Sequence, residues 1–456
     1  MIGGLLNRGG IVMKLNYKRT FLIGLAFLSI CAFWQMYDNV IPLILKQTFG
    51  LNSTVSGVIM AADNVCALFL LPLFGSISDR TSTRFGRRMP FVMIGTAMAV
   101  VFMEFLPMLD NSYYSKPAQY KITLFVICLG GLLISMGTYR SPAVALMPDV
   151  TPKPLRSKAN AVINLMGAVG GAIYLVIAGL LYSKSRTASL DHVDYTNLFL
   201  IVAALMVISV LILFFSTDEN KLHRELLDYE AAHPEENLAE DDGSGDAVLP
   251  AEVKKSLAFI LISISLWFIG YNAVTTWFTT YASEMWGMAL GQSSTCLTIG
   301  TAGAIVSYIP IGFLASRIGR KKTIIAGCIL LSACFAAGFA VTLLTDEFTP
   351  VLYVMFALVG LAWAAINVNS LPMVVEMCKG SDIGKFTGYY YTFSMAAQVF
   401  TPIASGWLID HIGYKALFPY SALFVLAAIC TMTMVRHGDS RPEAETGLEA
   451  LDVEMD

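Results

Sequence analysis

Hydrophobic residues in this chain come in long blocks, and short polar segments separate the blocks. Within a block there is neither the strict alternation of a half-buried strand nor the regular polar face of a surface helix. A block of about 18 to 20 apolar residues crosses a bilayer as a helix, because each residue adds about 1.5 Å and the hydrocarbon core is roughly 30 Å thick. The pattern therefore predicts an all-α membrane protein.

Twelve such blocks occur, six on each side of a long polar segment at 217–255. This segment contains the acidic run HPEENLAEDDGSGD and shows no apolar periodicity, which is typical of a flexible linker. The predicted spans are 19–45, 53–78, 89–108, 121–148, 157–183, 195–216, 256–284, 291–316, 322–345, 350–378, 384–409 and 413–436.

The order of these elements predicts the domain organisation. No small-residue cleavage site follows the first basic residues, so we expect no removable signal peptide, and Met13 is a candidate start besides Met1. The expected units are an N-terminal segment (1–18), a first six-helix bundle (19–216), an acidic linker (217–255), a second six-helix bundle (256–436) and an acidic tail (437–456).

Composition agrees with a membrane location, since 56% of the 456 residues are hydrophobic and 14% are charged, against about 25% charged in soluble proteins. The net charge of −3 says little about partners, but the positions of the positive charges predict orientation. Short loops rich in Lys and Arg face the cytoplasm. Every second loop is basic, starting with the N-terminal segment, so we expect both termini and the linker on the cytoplasmic side of the plasma (cell inner) membrane.

Internal repetition relates the two groups of six spans. WQMYDNV at 34–40 lies on WFIGYNAV at 267–274, which matches Trp34 with Trp267 and Asn39 with Asn272. In a second alignment of the two halves, Asp149 is aligned with Glu376. The loop after the second span also resembles the shorter sequence GFLASRIGRKK after the eighth span. Parallel repeats of six spans are typical of transporters.

The loop between the second and third spans reads GSISDRTSTRFGRRMPF. Its Gly75, Asp79, Arg80 and Gly86–Arg88 resemble the loop signature of the major facilitator superfamily. The longer form SDRTSTRFGRRMPF, together with RSPAVALMPDV at 140–150, is similar to the glycoside–pentoside–hexuronide symporters and the sucrose carriers related to them. The resemblance implies the major facilitator fold, in which two pseudo-symmetric six-helix bundles rock about a central site by alternating access.

This resemblance also implies a cytoplasmic gate, because the loop helps to hold the inward-closed arrangement in relatives. Acids at the ends of the fourth and tenth spans can pair with the loop arginines in one state and release them in another. The alternative is that these arginines only orient the protein. The predicted gate residues are Gly75, Asp79, Arg80, Arg84, Gly86, Arg87, Arg88, Asp149, Arg317 and Glu376.

Ionisable residues deep within spans are costly and are therefore candidates for function. Asp38 and Asp63 lie on antiparallel spans, both roughly 10–15 Å from the outer edge. Two acids in one cavity of low dielectric cannot both ionise cheaply, so we expect one to hold a proton, as proton coupling requires. The alternatives are that each acid is only hydrogen-bonded within the bundle, or that one of them faces the outer vestibule.

Arg140 lies roughly 13 Å from the cytoplasmic end of the fourth span. An arginine at this depth needs a carboxylate, a substrate or a water-filled cavity. Asp149 is half a turn out of phase on the same helix, so Asp38, Asp63 or the substrate is the expected partner. The alternative is a purely structural ion pair.

Uncharged polar and aromatic residues within the spans indicate the substrate class. Amides bind hydroxyl groups and aromatic rings stack on the apolar faces of sugars, although most aromatic residues near helix ends are interfacial anchors. The predicted substrate-binding residues are Asp38, Asn39, Asp63, Asn64, Arg140, Tyr271, Asn272, Trp277, Asn367, Asn369 and Gln398, of which Asp38 and Asp63 are also the predicted proton-coupling residues.

We expect a proton-coupled sugar symporter. The stretch DNVCALFLLP has one acid, Asp63, where symporters of the melibiose type have two, which favours protons over sodium. The fifth span has the GxxxG pair Gly167 and Gly171 but lacks the proline-containing glycine motif of many drug antiporters. The alternatives are a proton-coupled exporter of a drug or metabolite, or a non-transporting membrane sensor.

Other chemistry finds no support in the sequence. The chain has no HExxH, P-loop or nucleophile-elbow motif, and its eight cysteines are scattered without a CxxC pair. We therefore expect no enzyme activity, no cofactor and no metal site. The expected partners are a small-molecule substrate, protons and the lipid bilayer, with no nucleic acid, and the protein is expected to be a monomer.

Overall fold

The structure is a computed structural model of the 456-residue chain. It describes residues 6–7, 10–11, 15–152, 155–232, 250–377 and 383–439. Within these residues, two strands of two residues, Leu6–Asn7 and Gly10–Ile11, form an antiparallel pair before the first helix.

Twelve long helices, α1 to α12 in chain order, account for most of the described residues. A π-helical turn, Ile44–Thr48, extends α1, and a four-residue helix, Lys184–Thr187, follows α5. The long helices are α1 Tyr17–Leu43, α2 Ser53–Asp79, α3 Met89–Ser115, α4 Gln119–Asp149, α5 Arg156–Leu181, α6 Thr196–Ser216, α7 Ala251–Trp286, α8 Leu290–Ile318, α9 Arg320–Leu344, α10 Val351–Val375, α11 Ile383–Ile412 and α12 Leu417–Thr433.

Local signals fix several helix ends. The side chains of Asn16 and Asn52 accept hydrogen bonds from backbone N–H groups in the first turns of α1 and α2, as helix-capping residues do. Gly287 ends α7 in the left-handed conformation (φ 56°). Among the described residues, eleven helices are long and apolar enough to cross a membrane. The remaining long helix, α11, has 30 residues and packs against α2 and α7.

The two groups of six helices repeat the same packing. In the first half α1 packs on α5 and α6, α3 on α4 and α6, and α2 on α4. In the second half the equivalent pairs are α7 with α11 and α12, α9 with α10 and α12, and α8 with α10. The halves meet through α2 with α11, α5 with α8, and α1 with α7. The prediction of a twelve-helix, two-bundle membrane fold is confirmed.

Part of the predicted flexible linker is a helix. This segment, Glu219–Ala232, which we call the linker helix, follows α6 directly, and its Leu222 and Leu226 are buried. Asp218 accepts a hydrogen bond from the backbone N–H of Lys221 at 3.0 Å, which caps its first turn. The acidic run at 233–246 lies outside the described residues.

The two ends of the molecule differ in the loops that they carry. The basic end is the end at which α2, α4, α8 and α10 finish, and it carries the loop 80–88 and the basic residues on both sides of Gly319, which joins α8 to α9. The far end is the opposite end, at which α1, α5, α7 and α11 finish.

Candidate functional site

The acids and the arginine within the first half come together as predicted. Asp38 on α1 and Asp63 on α2 are half-buried and close enough to interact electrostatically, and Asp63 also interacts with Arg140 on α4. The side-chain amide of Asn64 donates to an Asp63 carboxylate oxygen at 2.8 Å. Three helices thus contribute to one charged cluster inside the membrane-spanning region, and we call Asp38, Asp63 and Arg140 the charged cluster.

Arg140 does not form a close ion pair in this cluster. In the described part of the chain, no carboxylate oxygen lies within 4.0 Å of its guanidinium group. The guanidinium carbon instead lies 5.9 Å from the ring centroid of Trp34, a distance at which a cation and an aromatic face attract each other. A small cavity beside the cluster is lined by Trp34, Asp63, Cys66, Ala67, Leu70, Leu71, Leu133, Met136, Gly137 and Arg140.

The second half contributes aromatic rings and amides. Tyr271 on α7 and Trp363 on α10 stack with centroids 3.8 Å apart and planes 6° apart. Beside Tyr271, the side-chain nitrogen of Asn272 is buried without a hydrogen-bond partner in the described part of the molecule. Asn367 is 8% exposed, and Gln398 on α11 is half-buried.

Three predicted substrate-binding residues lie in helix packing instead. Trp277 is fully buried and donates its indole N–H to Ser405 on α11 at 2.9 Å. The side-chain amides of Asn39 and Asn369 donate to backbone carbonyls four residues earlier on their own helices, at 2.6 and 2.9 Å. Both amides are nearly fully buried, and none of these three residues lines the cavity beside the charged cluster.

The predicted gate residues form an ion-pair network at the basic end of the first half. Asp149, at the end of α4, pairs with Arg87 and Arg88, each at 2.7 Å. Arg88 is only 5% exposed through its side chain and also bonds Asp79, Ser78 and, at 3.4 Å, the carbonyl of Gly75. One buried guanidinium therefore ties the end of α2 to the end of α4.

The second half repeats one part of this network. Glu376, at the end of α10, pairs with Arg320 at 2.5 Å, as Asp149 pairs with Arg87 and Arg88. Three predicted gate residues, Arg80, Arg84 and Arg317, are exposed and form no ion pair with any described residue. Each half is thus tied within itself at the basic end.

The hydrogen bonds between the halves lie towards the far end. The carboxylate of Asp410 on α11 accepts from the backbone N–H groups of Ser53 and Thr54 at 2.7 and 2.6 Å, and from the Thr54 hydroxyl at 2.6 Å. It therefore caps the first turn of α2 from the other half. Three further cross-half bonds run from Gln47 to Ser283 (2.8 Å), from the Thr279 hydroxyl to the carbonyl of Asn39 (3.1 Å) and from the N–H of Gly291 to the carbonyl of Tyr182 (2.8 Å).

Comparison with protein families decides the classification of this chain. The family model of the Major Facilitator Superfamily matches residues 23–294 and 283–452. The chain belongs to the major facilitator superfamily. The resemblance seen in the loop after the second span is therefore confirmed at the level of the family.

Relatives within the superfamily include sugar carriers. The chain is 29% identical over 141 residues to the sucrose transport protein SUC3 of Arabidopsis thaliana, a match that covers 28% of this chain and 23% of that protein. It is 24% identical over 216 residues to solute carrier family 45 member 4 of Homo sapiens, covering 46% of this chain and 27% of that protein. The match to the uncharacterized MFS-type transporter YttB of Bacillus subtilis is 22% identical and covers 84% of this chain and 86% of that protein.

Solved structures of superfamily members share the fold. The inward open xylose transporter XylE from E. coli superposes with a TM-score of 0.66 at 15% identity, covering 95% of this chain and 98% of that chain. A bacterial homologue of the iron transporter ferroportin in an inward-facing state gives a TM-score of 0.66 at 14% identity, covering 92% and 99%. At these identities the likeness concerns the fold alone.

Two acids that no sequence pattern marks hold the basic segments after α2 and α8 in place. The carboxylate of Glu219, at the start of the linker helix, accepts from the backbone N–H groups of Arg87, Arg88 and Met89 at 2.8–3.1 Å. Glu219 is 3% exposed and caps α3. In the second half Asp439, which follows α12, accepts from the backbone N–H of Lys321 at 2.8 Å and so caps α9.

Glycines make room for both capping acids. Gly86 has a φ of 110°, and a Cβ atom at this position would overlap the Glu219 carboxylate. Gly319 has a φ of 95°, and a Cβ atom there would lie 2.9 Å from a carboxylate oxygen of Asp439. The glycine that precedes the basic run in each half was visible in the sequence, but the acid that it faces lies more than a hundred residues further along the chain.

Proposed function

We propose that this protein is a proton-coupled sugar symporter that works by alternating access. The observation that carries the proposal is the charged cluster, in which two acids and one arginine from three helices meet inside the membrane-spanning region. A carboxyl group that takes up and releases a proton there can couple proton entry to a movement of the two halves.

The sugar assignment rests on the second half and on the relatives. The stacked Tyr271 and Trp363 offer an aromatic face, and the buried amide of Asn272 has free hydrogen-bonding capacity in the described structure. Aromatic faces with nearby amides suit a solute that has both hydroxyl groups and apolar C–H faces. Sucrose appears in the name of a relative, which supports the same class.

Alternating access in this protein is supported by the unequal distribution of contacts between the halves. The described hydrogen bonds across the interface lie towards the far end, and α4 and α10 do not form a packed interface with each other in the described residues. We propose that the basic end faces the cytoplasm of the plasma membrane, as the positions of Lys and Arg predict, and that the structure corresponds to the inward-facing state.

A proton-coupled exporter of a drug or metabolite is the second candidate. The stacked Tyr271 and Trp363 also fit a planar apolar molecule, which is the observation that favours it. In an exporter the same acids would release protons inwards while the solute leaves.

Uptake of a radiolabelled di- or oligosaccharide into proteoliposomes tests the proposal. We expect accumulation only with an inward proton gradient, and Asp63→Asn should keep exchange of sugar but lose accumulation. Glu104→Gln is the matched control, because Glu104 is an acid on α3 outside the charged cluster, and it should accumulate sugar like the wild type. If no glycoside moves under any gradient, the sugar assignment fails and the exporter becomes the leading candidate.

A further inference from the structure

A buried acid at the far end has no part in the proposed transport mechanism. Asp110, in the last two turns of α3, is fully buried, and neither of its carboxylate oxygens accepts a hydrogen bond from a described residue. The hydroxyl of Thr48, at the end of α1, lies near this carboxyl group without meeting hydrogen-bond geometry. A buried carboxylate without a donor is costly as an anion, so Asp110 needs either a proton or a cation beside it.

His192 can supply that cation. It lies in the loop 188–195, which leads into α6 and which we call the far-end loop. Its Nε2 lies 3.6 Å from a carboxylate oxygen of Asp110 and 2.8 Å from the side-chain oxygen of Asn111. The side-chain nitrogen of Asn111 donates to Asp194 at 2.7 Å, which fixes the amide orientation and makes Nε2 the ring nitrogen that carries hydrogen. A proton taken up at Nδ1 then places a positive charge beside Asp110.

A second acid, Asp194, lies beside this pair and stays ionised. Although burial opposes it, hydrogen bonds from Thr196 and Asn111 hold the pKa of Asp194 below its usual value. Burial lowers the pKa of His192, and the charge of Asp194 opposes that shift. Asp194 therefore contributes a constant negative charge, which repels an ionised Asp110.

The other titratable groups near the pair do not compensate Asp110. Lys121, on α4, donates its ammonium group to two backbone carbonyls at the C-terminal end of α3, at 2.8 Å each. Lys46, near the end of α1, lies over an aromatic ring of the second half. Tyr195, at the start of α6, is buried, and a tyrosine hydroxyl is neutral below about pH 10. Among the described groups, a proton that binds here near neutral pH therefore belongs to Asp110 and His192.

The far-end loop connects this pair to the interface between the halves. The ring of Tyr114 stacks on His192 with centroids 4.4 Å apart, which fastens the loop to α3. At the end of the loop, the hydroxyl of Tyr182 donates to the backbone carbonyl of Asp194 at 2.9 Å. Tyr182 also accepts the cross-half hydrogen bond from the N–H of Gly291. Release of the loop from α3 would therefore remove a support of one contact between the halves.

We propose that Asp110 and His192 form a proton-binding switch at the far end, and that loss of the proton releases the far-end loop from α3. With one proton, the pair is either an ion pair or a neutral acid beside a neutral imidazole. Without it, Asp110 is a buried anion beside the charge of Asp194, and release of the loop lets water reach it. The attached loop thus binds the proton more tightly than the released loop, so attachment is favoured at low pH and lost as the pH rises.

Hydrogen–deuterium exchange of the purified full-length protein tests this switch, because backbone amides of the far-end loop exchange faster once the loop is released. Exchange is measured between about pH 5 and 8, the range in which histidine changes its charge, and is corrected for the intrinsic effect of pH. We expect the protection of the loop to fall by up to about tenfold per pH unit, as the release of one proton requires.

Two variants assign this effect to the pair. Asp110→Asn keeps the shape of the acid in a permanently uncharged form, so the loop should stay protected at every pH. His192→Phe keeps the ring stack on Tyr114 but has no nitrogen to bind Asn111 or a proton, so the loop should exchange fast at every pH. Asp191→Asn is the matched control, because Asp191 is an exposed acid of the same loop, and it should keep the pH dependence of the wild type.

Three outcomes would overturn the switch. The first is exchange of the wild-type loop that does not depend on pH. The second is an unchanged pH dependence in either Asp110→Asn or His192→Phe, because another group would then carry the proton, and one folded variant is enough for this comparison. The third is loss of the pH dependence in Asp191→Asn as well, which would assign the effect to the overall charge of the loop. The switch does not depend on the identity of the solute, so none of these outcomes affects the sugar assignment.

Discussion

The two ends of the molecule are held together in different ways. At the basic end each half is tied within itself, by Asp149 with Arg87 and Arg88 in the first half and by Glu376 with Arg320 in the second. At the far end a carboxylate crosses between the halves, because Asp410 on α11 caps α2.

This difference shows which contacts have to change when the halves move. The ion pairs at the basic end can stay intact during a rocking motion, since both partners belong to the same half. The bonds of Asp410 cannot stay intact if the far end opens, since the carboxylate and the N-terminus of α2 belong to different halves. We therefore expect variants at the basic end to change mainly stability and variants at the far end to change mainly the balance between conformations.

Removing the acid at the centre of the basic end should have the largest effect. Asp149→Asn removes the carboxylate that pairs with Arg87 and one of the two that pair with the nearly buried Arg88. Breaking a buried pair costs about 3–5 kcal/mol, which is the upper limit here because Asp79 stays beside Arg88. Thermal unfolding of the purified protein should shift strongly to lower temperature. Arg80→Gln is the control, because Arg80 is exposed and unpaired among the described residues, and its unfolding should stay close to that of the wild type. Equal shifts of the unfolding temperature in both variants would contradict the stabilising role of the ion-pair network.

Replacing the glycines that face the capping acids should lower the stability of the protein by an intermediate amount. Gly86→Ala places a side chain on a backbone with φ 110° and displaces Glu219 from its three N–H donors. Together these effects should lower the free energy of unfolding by about 2 kcal/mol. Gly319→Ala should cost less, because Asp439 accepts from a single backbone N–H of α9 among the described residues. Gly50→Ala at the far end meets open space and should cost least. Unfolding temperatures that rank differently would argue against the capping role of Glu219.

Weakening the cap that Asp410 provides to α2 should have the smallest effect on stability, but it should clearly shift the balance between conformations. Asp410→Asn replaces charge-assisted hydrogen bonds by neutral ones, and a loss of about 1.4 kcal/mol shifts a two-state balance roughly tenfold. Spin labels at the exposed positions 84 and 317, one on each half, report the width of the basic end. We expect shorter distances in Asp410→Asn as this end closes.

The matched control for this last variant is Gln47→Ala, which removes a single neutral hydrogen bond to Ser283. Its distance distribution should stay close to that of the wild type. An unchanged distribution in Asp410→Asn, or an equal shift in Gln47→Ala, would show that Asp410 does not hold the far end closed.

Sequence reasoning predicted the helices well and the site in part. The bounds of α2, Ser53–Asp79, differ by one residue from the predicted span, because the apolar block and its cap are adjacent in the chain. The grouping of Asp38, Asp63 and Arg140 followed from their depth in the membrane. The contact of Trp277 with α11 could not be predicted in this way. Whether its ring faces the cavity or α11 depends on how α7 is rotated about its axis, and the depth of a residue in the membrane does not specify that rotation.

The sequence by itself determined the class of this protein, its twelve long helices to within seven residues at each end and the distribution of its positive loops. These properties depend on residues that are neighbours in the chain, since each span must satisfy the bilayer locally. Only the tertiary structure decided that Glu219 caps α3 and that Asp410 caps α2. The partners in these contacts are separated by 130 and 357 residues, so their meeting depends on how whole helices pack.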